Sequence, residues 1–259
     1  MLLDFLQLNI PKGGNMRKAD KTKLLLVIGI SLIFSMAGCV DTSVQSIPSS
    51  VVYHSQLKFV NLVAGGGIAT LTMNGQSLGT VDVGNELPSS ASFMDVQAGN
   101  KTLNVSFANG PSKVFKFSAD TDYKIRIFLA GTDSSNDLYK NAERYIWQTK
   151  GSENGKTLFP PDTGWISVFN GSPDAEVAGL TVSGGGLDTA ITFGSALAIG
   201  SGAPYMKLKS STAYNLYMIS GSGDTLATIS SFNPASQGKY TAVVYDSTNN
   251  LKTKVFTDD

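Results

Sequence analysis

After about position 50, nothing in the chain holds a helical period for long. Apolar residues recur at every second position in short runs, and turn residues divide the runs. In 103–107, Leu103, Val105 and Phe107 share one face while Asn104 and Ser106 share the other. The stretch 69–73 behaves the same way and ends at Asn74-Gly75, a strong type I′ hairpin signal. In 124–129 the alternation puts Ile125, Ile127 and Leu129 inside. Further strands are expected at 57–63, 93–96, 114–117, 165–170, 180–183, 205–208, 215–220, 225–230, 240–245 and 253–257, while 136–147 fits either a last strand or a short helix. Many short strands at this spacing predict an all-β chain of antiparallel, Ig-like β-sandwiches. Hydrophobic residues make up 42% of the chain and charged residues 15%, which is enough apolar surface to build such cores.

An internal repeat sets the number of domains. Residues 57–63 line up with 166–172, pairing Asn61 with Asn170, and a glycine-rich turn follows each, at 65–67 and 184–186. Phe93-Met94 aligns with Tyr205-Met206, and 119–127 aligns with 236–244, pairing Tyr123 with Tyr240. The offsets, about 110 residues, are too long for a solenoid and indicate duplicated domains. The expected organisation is a β-sandwich over 55–149, a linker rich in Gly, Pro and polar residues over 150–163, and a second β-sandwich over 164–259.

The N-terminal residues give an address. Lys18, Lys21 and Lys23 precede an apolar run over 24–34, too short for a comfortable membrane span, and small residues follow. This reads as a signal peptide over 1–38, with Met16 a better start than Met1. Met36-Ala37-Gly38-Cys39 resembles the bacterial lipobox, which implies cleavage between Gly38 and Cys39 and diacylglycerol on that thiol. The chain has one cysteine and it stands at the cut, so no intramolecular disulfide is available. Residues 39–54 then form a lipidated tether. Val40, not Asp, follows the cysteine, and under the enteric sorting rule this favours the outer membrane. The expected location is therefore the cell envelope, held to a membrane by the N-terminal lipid. Of 20 basic and 20 acidic residues, five and two precede Cys39, which leaves 15 and 18 and a formal charge of −3. Such a balance has no footprint for nucleic acid.

Both halves resemble the DUF4397 domain, a β-sandwich family of unassigned function in secreted and lipid-anchored bacterial proteins. Residues 168–175 are similar to that family's opening motif, a strand ending in Asn-Ala-Ser-Pro-Asp-Ala, matched here by Asn170, Ser172, Pro173, Asp174 and Ala175 with Gly171 where Ala is usual. Gly238-Lys239-Tyr240-Thr241 is similar to the family's Gly-x-Tyr-Thr strand start. The first half keeps Asn61 but not the Ser-Pro-Asp, so the second copy is the clearer match. The resemblance implies fold and address, not chemistry. The residues suggest the same structural role: Asn170 bonding to turn backbone, Pro173 presetting φ, Asp174 capping, and Tyr240 acting as a tyrosine corner.

Chemistry is sparse. The single histidine, His54, falls in the tether and makes a poor base; zinc and thiol sites lack ligands, and no nucleophile elbow or phosphate loop is present. Two oxygen-rich spots, Asp133 with Asn136 and Asp137, and Asp174 with Glu176, each fall short of the six to eight oxygens of a calcium site. Asp95, Asp120 and Asp122 are the carboxylates a glycosidase would have to bring together. No catalytic residue, metal or cofactor is expected. Trp147 and Trp165, with Tyr145 and Phe159, flank the linker and could stack a sugar, although an interface role is favoured. The expected function is a non-enzymatic binding or adhesion module for a glycan or envelope protein. The alternatives are a structural spacer or pilus-like assembly subunit using strand 251–257, and then a glycan hydrolase.

Overall fold

Successive side chains along a strand point to opposite faces, so the alternation becomes sheets. The computed structural model describes residues 52–90, 92–144, 152–153, 156–157 and 160–258. The first half contains β1 (His54–Ala64), β2 (Ala69–Met73), β3 (Gln76–Val81), β4 (Glu86–Leu87), β5 (Met94–Gln97), β6 (Gly99–Phe107), β7 (Lys113–Ala119), β8 (Tyr123–Thr132) and β9 (Asn136–Arg144). A short hairpin, β10 (Ser152–Glu153) and β11 (Lys156–Thr157), follows. The second half contains β12 (Thr163–Asn170), β13 (Val177–Gly184), β14 (Leu187–Leu197), β15 (Met206–Lys209), β16 (Tyr214–Ile219), β17 (Thr225–Phe232), β18 (Lys239–Tyr245) and β19 (Lys252–Thr257). No α-helix occurs among the described residues, and the ambiguous 136–147 stretch begins as β9, paired with β8.

Each half is a β-sandwich. The first packs the sheet β4-β1-β8-β9, with β5 also on β1, against β3-β2-β6-β7; the second packs β15-β12-β18-β19 against β14-β13-β16-β17. One correction applies to the antiparallel expectation. The opening strand of each half runs parallel to a late one, β1 to β8 and β12 to β18, and the remaining pairs of named strands are antiparallel. The first core gathers Leu57, Phe59, Ile125 and Ile127 against Leu71, Leu103 and Val105. The second gathers Ile166, Val168 and Val244 against Leu180, Leu216 and Met218.

The parallel pairs fix the repeat more finely than sequence alignment. Asn61 pairs with Leu129 and Asn170 with Val244, so Ile125 corresponds to Tyr240, two residues away from the Tyr123–Tyr240 match expected from sequence. Two markers agree with this register. Asp122 and Gln237 both have positive φ, 62° and 60°. Their N–H groups donate to His54 and Thr163, at 3.0 and 2.7 Å, which are matching positions in the two opening strands. The sequence match failed because the late strands share alternation but few identities, and a two-residue slip preserves alternation.

Alternation also misled at the first half's outer face. Arg126 was expected to face solvent opposite Ile125 and Ile127, yet it is 3% exposed. The sheet carrying β1 and β8 is covered on both sides. Its second face, Val60, Leu62, Phe128 and Ala130, meets Phe169, Val243, Tyr245 and Phe256 of the second sandwich in a third core. Phe128 stacks on Phe169 with ring centroids 4.0 Å apart. Two glycines permit close approach: a Cβ at Gly84 would overlap the Tyr245 ring, and one at Gly200 the Tyr139 ring. Gly171 belongs to the same contact, since a Cβ there would lie 2.6 Å from Leu62 Cδ1.

Candidate functional site

The motif residues hold local backbone in place, and the asparagine among them is duplicated. Asn170 Nδ2 donates to the carbonyls of Ala175 and Leu197, both at 2.8 Å, while its Oδ1 accepts from Ser172 N–H at 3.0 Å. Asn61 repeats the device with Gly67 and Val81 carbonyls at 2.9 and 3.1 Å and the Val63 N–H at 3.1 Å. Both side chains are fully buried and serve backbone groups that water cannot reach. Ser172 donates to Asp174, whose carboxylate also accepts from the Thr248 N–H and hydroxyl at 2.8 and 2.9 Å. Burial raises the Asp174 pKa, but these hydrogen bonds outweigh it and hold the carboxyl below its ordinary value. The Tyr240 hydroxyl accepts from the Ala235 N–H at 2.9 Å and ties the preceding loop. Pro173, half-buried, lies in the turn between Ser172 and Asp174.

The other sequence candidates do not converge. His54 is not in the tether: it opens β1, paired with Gln97 of β5, and its Nδ1 lies 2.8 Å from Asp95 on an exposed face. The neighbouring hydroxyl, Ser55 Oγ, turns away and donates to the Tyr123 carbonyl. Asp120 is held by Lys140 at 2.7 Å, and Asp122 stands in the positive-φ turn before β8. In the 133–137 loop, Asp133 and Asp137 each accept from the next backbone N–H, and Asn136 Nδ2 donates to Thr132 and Asp133 carbonyls. Among the described residues no three His, Cys, Asp or Glu side chains gather as a metal site. Trp165 is half-buried on β12, with Lys207 Nζ 4.9 Å from its ring centroid. Gly38, Cys39, Tyr145, Trp147 and Phe159 lie outside the described residues.

Two features were missed from sequence. The first is a buried charged network between the sandwiches. Lys58, 1% exposed, donates to Glu86 at 2.7 Å and to the Ser90 carbonyl at 2.9 Å. Arg126 bridges Glu86 and Asp258 and donates to the Thr257 carbonyl at 2.6 Å. Thr241 and Tyr205 donate to Asp258 at 2.7 and 2.9 Å, so the network joins both halves. The signal for it was the strand β1 itself, whose outer positions Val60 and Leu62 are apolar, the mark of a strand covered on both faces.

The second is a groove of about 410 Å³ at one edge of the second sandwich. Ile191, Phe193 and Leu197 of β14 line one bank, and Ala203, Pro204, Tyr205 and Met206, which run along β12, line the other. The repeat explains why it is there. Phe59 and Val60 pair with Leu87 and Glu86, while Phe169 bridges to Gly202, so Ala203 corresponds to Leu87. Leu87 packs into the first core, with its Cδ atoms 3.7–3.8 Å from where a Cβ on Gly79 would lie. Alanine has no such reach. The lining carries hydroxyls at Thr192 and Ser195, that of Tyr205 being given to Asp258, and no carboxylate, imidazole or amine. Nothing in the sequence pattern marks this place, because an alanine beside a proline is unremarkable until the repeat register is known.

No family model matches the chain, and no curated protein matches it. Among solved structures it is similar to CBMbc, a family CBM26 module of Eubacterium rectale Amy13K in complex with maltoheptaose. That likeness has 10% identity and a TM-score of 0.24, covering 78% of this chain and 96% of that one.

Proposed function

We propose that this chain is a lipid-anchored protein of a bacterial cell envelope, cut before Cys39 and held to the outer membrane. Its fused pair of DUF4397-like sandwiches serves as a non-enzymatic binding module. The observation that carries the binding role is the groove beside β14, an apolar cleft rimmed by hydroxyls in the half where Ala203 replaces leucine. Its lining offers shape, aromatic surface and neutral hydrogen-bond partners without an acid or base, which supports capture over hydrolysis. The spacer and assembly alternatives draw less support. A subunit that exchanges its last strand needs that strand loosely held, whereas β19 is fully paired to β18, Phe256 is buried in the third core and Asp258 is clamped by Arg126.

The test uses the mature chain from residue 39 carrying Cys39→Ala, probed with neutral oligosaccharides and with peptides. Binding is expected to vanish in Ala203→Leu, which refills the cleft, and in Gly194→Arg. Gly194 lines the groove and has open space around a Cβ, so an arginine there adds a long charged side chain at the groove wall without a clash. Binding that survives both variants overturns the assignment. In cells, the intact precursor with Cys39→Ala should leave the membrane fraction and lose acyl labelling; retention would remove the anchor.

A further inference from the structure

We propose that the groove takes an extended, uncharged polypeptide strand, which adds to the free edge of β14. This rests on the binding reading above and names its partner class. β14 ends its sheet in the order β14-β13-β16-β17. Gly185 and Gly186 make the two-residue turn that joins it to β13, with φ of 59° and 80°, as a type I′ turn requires. Such a turn closes on a hydrogen-bonded pair, here Gly184 and Leu187. Hydrogen-bonded and non-bonded pairs alternate beyond it. Val182 with Thr189 and Leu180 with Ile191 therefore exchange bonds, while Asp188, Ala190 and Thr192 turn their N–H and C=O groups outward. Among the described residues no backbone hydrogen bond outside the β13 ladder engages those groups.

Of the other sheet edges, β3 and β17 also carry no charge but do not line the groove, while three are guarded. β7 carries Lys113 and Lys116, β15 carries Lys207 and Lys209, and β19 carries Lys252 and Lys254, the usual device against strand addition. β14 is 11 residues long and its one charge is Asp188. The register breaks after Thr192 and resumes at Leu197, so Phe193 and Leu197 come to the bank of the groove. An added strand would satisfy the outward backbone groups of Asp188, Ala190 and Thr192. Alternate side chains would drop between β14 and the 203–206 bank. Backbone pairing supplies the affinity in this mode, and the pocket chooses the side chains. A lining with no charge selects neutral, apolar ones, since a buried unpaired charge would be rejected.

The test is a phage-displayed library of random ten-residue peptides panned on the Cys39→Ala mature chain, with an array of neutral oligosaccharides as a second probe. Selected peptides should be uncharged with apolar residues at alternate positions. Their binding should slow amide exchange at Asp188, Ala190 and Thr192. Ala190→Pro removes an outward donor without touching the β13 ladder and should weaken binding by about tenfold or more. Exchange on the unmutated protein keeps the test decisive should that variant fold poorly. Peptides that bind while those amides exchange freely overturn strand addition. Oligosaccharide binding lost in Gly194→Arg, with no peptide selected, also overturns it but leaves the groove's binding role standing; silence from both probes overturns the two together.

Discussion

The two sandwiches are one framework filled in two ways. Both anchor the opening strand with a buried asparagine serving two carbonyls and one N–H. In both, a lysine at the same register position, Lys124 and Lys239, stands over an aromatic ring, Phe93 at 5.4 Å and Tyr205 at 4.6 Å. Both press a glycine, Gly84 and Gly200, onto a tyrosine of the other half. They part where side chains face a neighbour or a gap. Arg126 of the first half corresponds to Thr241 of the second, and Leu87 to Ala203. The shared asparagines satisfy backbone that has no alternative and the shared glycines let the halves approach, while the divergent positions make the buried charged network and the groove.

The largest effect should come from the unequal pair at the interface. Arg126→Ala leaves Glu86 and Asp258 carboxylates without their shared guanidinium, and Asp258 is buried. Breaking a buried pair from one side costs about 3–5 kcal/mol. Thr241→Val, at the matching position, loses one hydroxyl bond to Asp258 and should cost about 1 kcal/mol. Urea unfolding of the two variants checks this. Equal costs would mean the network does not hold the halves together.

The equal pair should behave equally. Asn61→Ala and Asn170→Ala each strand two carbonyls and an amide in a buried strand end. Each should cost about 2–3 kcal/mol. If the third core makes the halves unfold together, either variant gives a single transition. A second transition in one variant alone would show that the half in question unfolds by itself.

The sandwich class, the duplication and the asparagine pairing were legible in sequence because they rest on local signals: alternation, turn residues and repeated identities. β14 and β3 were not. β3 has Gly79 in its middle and little apolar alternation, and β14 mixes Thr, Ala, Gly and Ser, so tertiary pairing overrides weak local preference. The groove was illegible for a different reason. It is a missing side chain at Ala203, and an absence has no sequence signal until Leu87 shows what the position can hold. The buried Arg126 falls on the outward face of its alternation because a single sandwich has an outside. Two stacked sandwiches remove it.

The smallest predicted effect separates the loop tips. The second half ties its tip with the Asp174 carboxylate on Thr248, and the first half uses the Asp133 N–H on the Ala64 carbonyl at 3.0 Å, where no proton titrates. Asp174 has its folded pKa depressed. Its contribution is therefore fully present above the unfolded carboxyl value, about 3.9, and is lost as pH falls through the lower folded value. From neutral pH to about 4.5 the tip should not change. Below that, amide exchange at Thr248 should accelerate while exchange at Asp133, corrected for its intrinsic acid dependence, stays level. Asp246 sits on the same tip. Burial raises its pKa, but hydrogen bonds from Lys252 and the Ser247 N–H bring it below its ordinary value, so it adds an acid response of the same sign. Asp174→Asn separates the two, since the amide keeps an acceptor for Thr248 but has no proton to gain. If Thr248 still loosens in acid in that variant, Asp246 is the group responsible and Asp174 is only a neutral staple.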